Sequence, residues 1–337
     1  MNIKDIAKKA GVSQMTVSRV VNNKMNVKFE TRQKVQKIID KEKFVPHQSA
    51  KALRLGSNYS IGIFINFDVQ NFYPSSLFFQ EILMGISSEL QLFGYTVDLF
   101  FDNGTEKKDK IISLLDSRQR TIDGLIVISN ESASDLEEKI AHINLPIVVI
   151  NKEIYKLNVD CILADDESGA YEAASHLYKL GHEVVGYIDG PSLKRKNGFL
   201  KATKDYNIKF NPNLIEVGFF HHRGGYLAMR KLLKKRHDIS AVFAASDFMA
   251  VGALKAIREA NLKIPDDISL VGFDDLELTG LIEPSLTTIK KPRKLMGKYS
   301  ILTLLEKLKN NSKVEKKQKK IMLPTNLIIR KSTKPIN

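Results

Sequence analysis

The chain has no tryptophan and a single cysteine, Cys161, in 337 residues. One thiol excludes an intramolecular disulfide and any cysteine-cluster metal site, and its apolar surroundings mark it as core. No apolar run approaches the length of a membrane span. The N-terminus lacks the charged-then-apolar pattern of a secretion signal, so a soluble, cytoplasmic protein is expected. Also missing are a Gly-x-Gly-x-x-Gly turn after a strand, a Gly-Lys-Ser/Thr phosphate loop and a nucleophile paired with a base at recognisable spacing. No catalytic residue, cofactor or metal is therefore expected.

What the chain has in excess is positive charge, 52 Lys and Arg against 38 Asp and Glu, a net +14. The excess lies at the two ends. Residues 1–57 hold 13 basic and 4 acidic residues, residues 306–337 hold 10 and 2, and residues 58–305 hold 29 and 32. A basic N-terminal segment suits the neutralisation of phosphates. The run Lys-Val-Glu-Lys-Lys-Gln-Lys-Lys at 313–320 reads as a solvated loop, with a second polyanion contact as the alternative. A hydrophobic fraction of 43% is enough for real cores.

The basic N-terminal segment opens with two short helical patterns. Ile3, Ile6, Ala7 and Ala10 fall on one helical stripe. Asn2 can cap that helix, Asp5 suits its first turn, and Gly11 stops it. Ser13 caps a second helix, on which Val17, Val20 and Val21 face inward while Gln14, Met15, Ser18, Arg19 and Asn22 face outward. A short polar face with one arginine fits a DNA major groove. A third helix is expected from Glu30 to Glu42, with Val35, Ile38 and Ile39 inside, and a short helix near Pro46–Gly56 that is too brief to stand alone.

From Tyr59 onward short apolar runs alternate with helical stretches. Candidate strands are Ile61–Ile65, Tyr95–Phe100, Gly124–Ile128, Ile147–Ile150, Val184–Ile188, Ala241–Ala245 and Ile268–Phe273. Helices are expected between them, including Lys107–Leu115 and Glu167–Leu180. Such alternation predicts parallel sheets covered on both faces. The expected fold class is α/β, a small all-α helix-turn-helix head followed by a core of two lobes. The predicted division is a head at 1–45, a hinge and linker at 46–58 and a core at 59–337. Within the core, lobe one spans about 59–160 and lobe two about 161–290. Ligands in such folds sit at the carboxyl ends of the strands.

The chain resembles the lactose-repressor/galactose-repressor family of bacterial transcription regulators. The resemblance rests on Ile3–Ala10, Gly11-Val12-Ser13, Thr16–Asn22, Pro46 with Ala50–Leu53, Leu180-Gly181-His182, Arg195–Phe199, Ser246-Asp247, Met249-Ala250, Gly252-Ala253, Asp267–Asp275 and Leu286–Ile289. It implies a helix-turn-helix head, a hinge helix and a two-lobed core like that of periplasmic sugar-binding proteins, with the chain crossing back between the lobes near its C-terminus. Gln14, Met15 and Arg19 match base-reading positions, and Ser13, Thr16, Ser18, Asn22 and Thr31 match phosphate contacts. Ala50 and Leu53 match the hinge, where the leucine wedges into the minor groove. Two hinges are needed for that, which implies a homodimer on a near-palindromic operator in double-stranded DNA. Asp274, Arg195 and Phe220 match effector-binding positions. Asn151, Ser246, Asp247, Tyr73 and Ser75 are weaker candidates, Asp247 having a helix cap as its alternative role and Tyr73 and Ser75 lying in a strand-to-helix loop. The implied effector is a sugar, sugar phosphate or other sugar derivative.

Two segments depart from the family pattern. Gly190–Lys194 is short, which puts the position of Arg195 in doubt, and Phe67–Pro74 is unusual, so effector chemistry does not carry over from any relative. No leucine heptad follows the final strand near Leu323–Thr333, so a dimer is expected rather than a tetramer. The function that follows is a dimeric repressor of carbohydrate-metabolism genes, with a protein corepressor left open. An enzyme and a sugar-binding sensor or transport module without DNA are the alternatives.

Overall fold

The computed structural model describes residues 3–21, 26–42, 57–66, 72–102, 116, 121–129, 131–236, 238–309 and 317–336, the side chains of 72–77 excepted. The expected helix 107–115 and nearly all of the hinge 46–58 lie outside the described residues.

The head consists of α1 (Ile3–Ala10), α2 (Gln14–Val21) and α3 (Phe29–Lys41). Ile6, Ala7, Ala10, Val17, Val20 and Val35 are buried together, with Ile38 and Ile39 packed against them, as the stripes require. Gly11 takes a φ of +66°, a left-handed turn open to glycine. The Ser13 Oγ accepts from the Thr16 amide at 3.2 Å and caps α2.

A first sheet follows, all parallel, built from β1 (Ser60–Asn66), β2 (Thr96–Asp102), β3 (Gly124–Ile128), β4 (Ile147–Ile150), β5 (Asp160–Ala164) and β11 (Lys320–Leu323). Its spatial order is β11-β5-β4-β3-β1-β2. Period-two alternation divides its side chains. Ile61, Ile63 and Ile65 enter one core, and Phe64 enters the other with Val127 and Cys161, as a strand buried on both faces must. On the first of these faces lie α4 (Phe72–Phe93) and α11 (Arg293–Lys309). The helix α5 (Ala133–Ile140) covers the other through Leu136 and Ile140. Because β5 pairs with β4, the first sheet runs on to Ala164, beyond the boundary near 160 expected from sequence.

The second lobe has α6 (Asp166–Lys179), β6 (Val185–Asp189), α7 (Leu193–Asp205), β7 (Ile215–Val217), α8 (His222–Lys235), β8 (Ala241–Ala244), α9 (Asp247–Glu259) and β9 (Ser269–Val271). Its parallel sheet has the order β7-β6-β8-β9, and Tyr187, Phe199, Phe243, Met249 and Phe273 lie in one core. After α10 (Leu278–Leu281), β10 (Thr288–Lys290) pairs antiparallel with β12 (Asn326–Ile328). The chain thus passes between the lobes at 164–166, 290–293 and 323–326.

Candidate functional site

In the head, Gln14, Met15 and Arg19 lie on the exposed side of α2, with Met15 58% exposed. Ser13 is exposed, and Thr16 and Thr31 are half-buried. Ser18 is a correction. It was expected on the outer face, but only 8% of it is exposed. It directly follows Val17 and flanks the inner stripe of an eight-residue helix, where a small side chain tucks against the core. Asn22, Ala50 and Leu53 lie outside the described residues.

In the core, the candidates converge where the lobes meet. Arg195 is buried on α7, and each of its three guanidinium nitrogens has a partner. Nε donates to Asp166 Oδ2 at 3.0 Å, Nη2 to Asp274 Oδ1 at 2.9 Å, and Nη1 to the Ala245 carbonyl. Phe273 and Phe220 lie against it, with ring centroids 3.8 and 5.2 Å from Cζ, a contact that favours a cation. Asp274 and Arg195 were expected to face a ligand from two sides. In the structure they pair with each other. The Phe220 ring lies where a Cβ on Gly190 would stand, so a side chain there would displace the ring.

Sequence reasoning missed two members of this cluster. Lys291 has 1% of its surface exposed. Its Nζ donates to Asn151 Oδ1 at 2.6 Å and pairs with Asp166 Oδ1 at 3.0 Å. Asn151 follows β4 of the first sheet and Asp166 opens α6 of the second lobe, so this ammonium joins the two lobes. Burial would raise the Asp166 carboxyl, but Arg195 and Lys291 outweigh it and hold the group below the usual carboxylate range. Burial lowers the Lys291 ammonium, and the charge of Asp166 only partly offsets this. A Lys beside a Pro and an Asp beside a cap read in sequence as solvated groups. Only the fold brings them together. Asp165, the neighbour of Asp166, is the cap itself and accepts from the Ser168 amide at 3.0 Å.

Ser246 and Asp247 take other roles. Ser246, not Asp247, caps α9, accepting from the Met249 amide at 3.2 Å. Asp247 has no exposed surface and is turned inward. It accepts from Thr288 Oγ1 at 2.6 Å and from the Leu276 amide at 2.8 Å. Burial, and then the charge of Asp274, push its carboxyl well above the usual range. Asp247 braces the turn that carries Asp274 rather than presenting itself to a ligand. That turn needs bracing, because Asp274 and Asp275 take φ values of 118° and 55°. Side-chain-bearing residues pay about 1–3 kcal/mol each in such regions. Tyr73 and Ser75 fall within α4, not in the loop expected, since the helix already begins at Phe72.

A helix-turn-helix head joined to a two-lobed α/β core, with a polar cluster at the crossing of the lobes, defines a DNA-binding regulator that carries a sensory core. Residues 2–47 match the family described as bacterial regulatory proteins, lacI family, and residues 174–333 match the periplasmic binding protein-like domain. The chain is 34% identical over 341 residues to the HTH-type transcriptional repressor PurR of Histophilus somni strain 2336, covering 99% of both. It is 33% identical over 313 residues to the ribose operon repressor of Haemophilus influenzae, covering 91% of this chain and 92% of that protein. The structure of the lac repressor dimer bound to operator and the anti-inducer ONPF superposes with a TM-score of 0.86 at 27% identity, over 99% of both chains. A LacI family regulator from Enterococcus faecium with bound ribose gives 0.69 at 27% identity, over 82% of this chain and all of that one. The chain belongs to the LacI family of DNA-binding transcriptional regulators.

Proposed function

We propose that the chain is a dimeric repressor of carbohydrate-metabolism genes, and that a sugar or sugar derivative bound between the lobes sets its affinity for a near-palindromic operator. In this reading the head is 1–45, the hinge 46–58 and the core 59–337. Gln14, Met15 and Arg19 read base edges. Ser13, Thr16, Asn22 and Thr31 touch phosphates, whereas the burial of Ser18 counts against that role for it. Ala50 and Leu53 act at the hinge. Arg195, Asp274, Phe220 and Asn151 bound the effector site, with Tyr73 and Ser75 near the same end of β1. The relatives are repressors, which favours a binding protein over an enzyme.

The observation that carries the effector reading is the run of contacts Asn151–Lys291–Asp166–Arg195–Asp274. It joins residues after β4 of one sheet to residues after β9 of the other, so a ligand that competes for the Asp274 carboxylate is felt on both sides of the crossing. A hydroxyl-rich ligand suits an acceptor, a fork of N–H donors and an aromatic ring. The ribose operon repressor and the ribose-bound regulator among the similar proteins make D-ribose the first probe.

The test selects an operator from a random duplex pool with the full chain and titrates the complex with D-ribose, then with other neutral sugars and sugar phosphates. One of these shifts the operator affinity of the wild type. Asp274→Asn keeps that affinity without ligand and loses the shift. A panel without effect, or an Asp274→Asn variant responding at the wild-type concentration, overturns the effector site. Absence of any mobility shift with random duplex at low salt favours a sensor without DNA.

A further inference from the structure

We propose that Arg293 is a positioning residue that couples the strained Asp274–Asp275 turn of the second lobe to helix α4 of the first lobe through Glu81. The proposal deepens the effector reading and rests on it for its purpose, but its test needs no ligand.

Arg293 is the first residue of α11 and is 1% exposed. Its guanidinium points back across the crossing. Nη1 donates to the Asp274 carbonyl, and Nη2 donates to the Asp275 carbonyl at 3.0 Å and to Glu81 Oε1 at 2.6 Å. One planar group therefore holds two consecutive carbonyls in one lobe and a carboxylate in the other. A guanidinium suits this because its donors are fixed in one plane, so a shift of the turn must rotate the group or break a bond.

The two sides of Arg293 are held in different ways. On the first-lobe side, α4 and α11 pack with almost no clearance, and a Cβ on Gly85 or Gly297 would fall on the carbonyl of Lys294 or Ile82. Close-packed elements move together rather than deform. On the second-lobe side, the turn is held in unfavourable φ by contacts made after the chain has turned. Asp247 accepts from the Leu276 amide, Arg330 donates to Asp275 Oδ1 at 2.6 Å, and Arg293 takes both carbonyls. Asp274 also bears the carboxylate that meets Arg195. A ligand that draws Asp274 away from Arg195 pulls on a turn whose carbonyls are fixed to α11, and Glu81 keeps that pull in register with α4. A charge-assisted bond on a rigid frame gives such a linkage its direction, and by linkage it acts both ways.

Hydrogen exchange on the ligand-free full chain tests the coupling, read at the amides of Asp274 and Leu276. Glu81→Gln, a change in the other lobe, is expected to speed their exchange about threefold to tenfold, and Arg293→Met by tenfold or more, the scale of one or two lost charge-assisted bonds. Arg293→Lys gives a partial effect and serves if Arg293→Met does not fold. Glu89→Gln is the control. Glu89 pairs with Lys298 at 2.9 Å between the same two helices but does not reach the turn, so exchange at 274–276 stays at the wild-type rate. Unchanged exchange in Glu81→Gln, or equal acceleration in Glu89→Gln, overturns the proposal. Neither result depends on whether a sugar binds.

Discussion

A buried arginine with three engaged donors is costly to remove. Arg195→Met leaves Asp274 without its guanidinium and Asp166 with Lys291 alone. Breaking one partner out of a buried charge pair costs about 3–5 kcal/mol. Denaturant unfolding of this variant therefore shows a core destabilised by that order, so loss of effector response in it cannot be read as a lost ligand contact. Asp274→Asn, which preserves the shape of the carboxylate, is the cleaner probe. On the head, Arg19 is exposed and stands outside the apolar cluster of the described residues. Arg19→Ala leaves the unfolding midpoint within error and costs about 1–3 kcal/mol at one base pair. Selection from a random pool shows this as relaxed preference at a single position.

Two buried histidines contribute to the pH dependence. His182 lies within 3.0 Å of Ser240 Oγ and of the Lys334 carbonyl. Its Nε2–H donates to the carbonyl, so Nδ1 accepts from the serine. His176 lies 3.0 Å from Thr333 Oγ1. Burial lowers both imidazoles from the ordinary 6.5. The unfolded chain then binds more protons than the folded one just below pH 6.5, so stability falls as pH falls through that value. The contribution of His182 is read as the difference in unfolding midpoint between wild type and His182→Asn. That difference is expected to change between pH 7.5 and 5.5 in that direction, while the raised Asp247 carboxyl acts with the opposite sign in both proteins.

At the scale of elements, regular periodicity was legible. The helix expected at Glu167–Leu180 is found at Asp166–Lys179, and the strand expected at Ile147–Ile150 is found there. The sequence reading had no counterpart for α11. Its buried side includes Gly297, Ser300 and Thr303 beside Met296, Ile301 and Leu304, so small and polar residues interrupt the apolar stripe. Gly297 is there because α4 comes so close. The same geometry makes Gly297→Ala expensive. The added methyl meets the Ile82 carbonyl, and overpacking of this kind costs about 1–3 kcal/mol, read as a lowered thermal midpoint. In the candidate site, Arg195 and Asp274 were legible as a chemical pair. Lys291, Asp166 and Arg293 were not, because a charge reveals its burial only when its partner is seen, and those partners come from elements far apart in sequence.

At the scale of the whole molecule, dimerisation can be checked against one face. The edge strand β2 carries Val97 and Leu99 at alternate positions, 37% and 45% exposed. An apolar row on an edge strand invites a partner, and the lac repressor structure that superposes on this chain is a dimer. Sedimentation at micromolar concentration is expected to give a dimer for the wild type and a monomer for Val97→Glu with Leu99→Glu. A dimer in that double variant moves the interface elsewhere.

The passage of the chain between the lobes also bears on synthesis. The first sheet begins at Ser60, yet its core takes Met296, Ile301 and Leu304 from α11, and its outer strand is 320–323. The second lobe likewise waits for 326–328 to pair with β10. A nascent chain emerges at roughly 5–20 residues per second, so the head can close early while both lobes stay unfinished until almost everything has left the ribosome. A ribosome stalled near residue 290 would present a finished head on an unfinished sensor, with apolar strands on offer to chaperones and proteases.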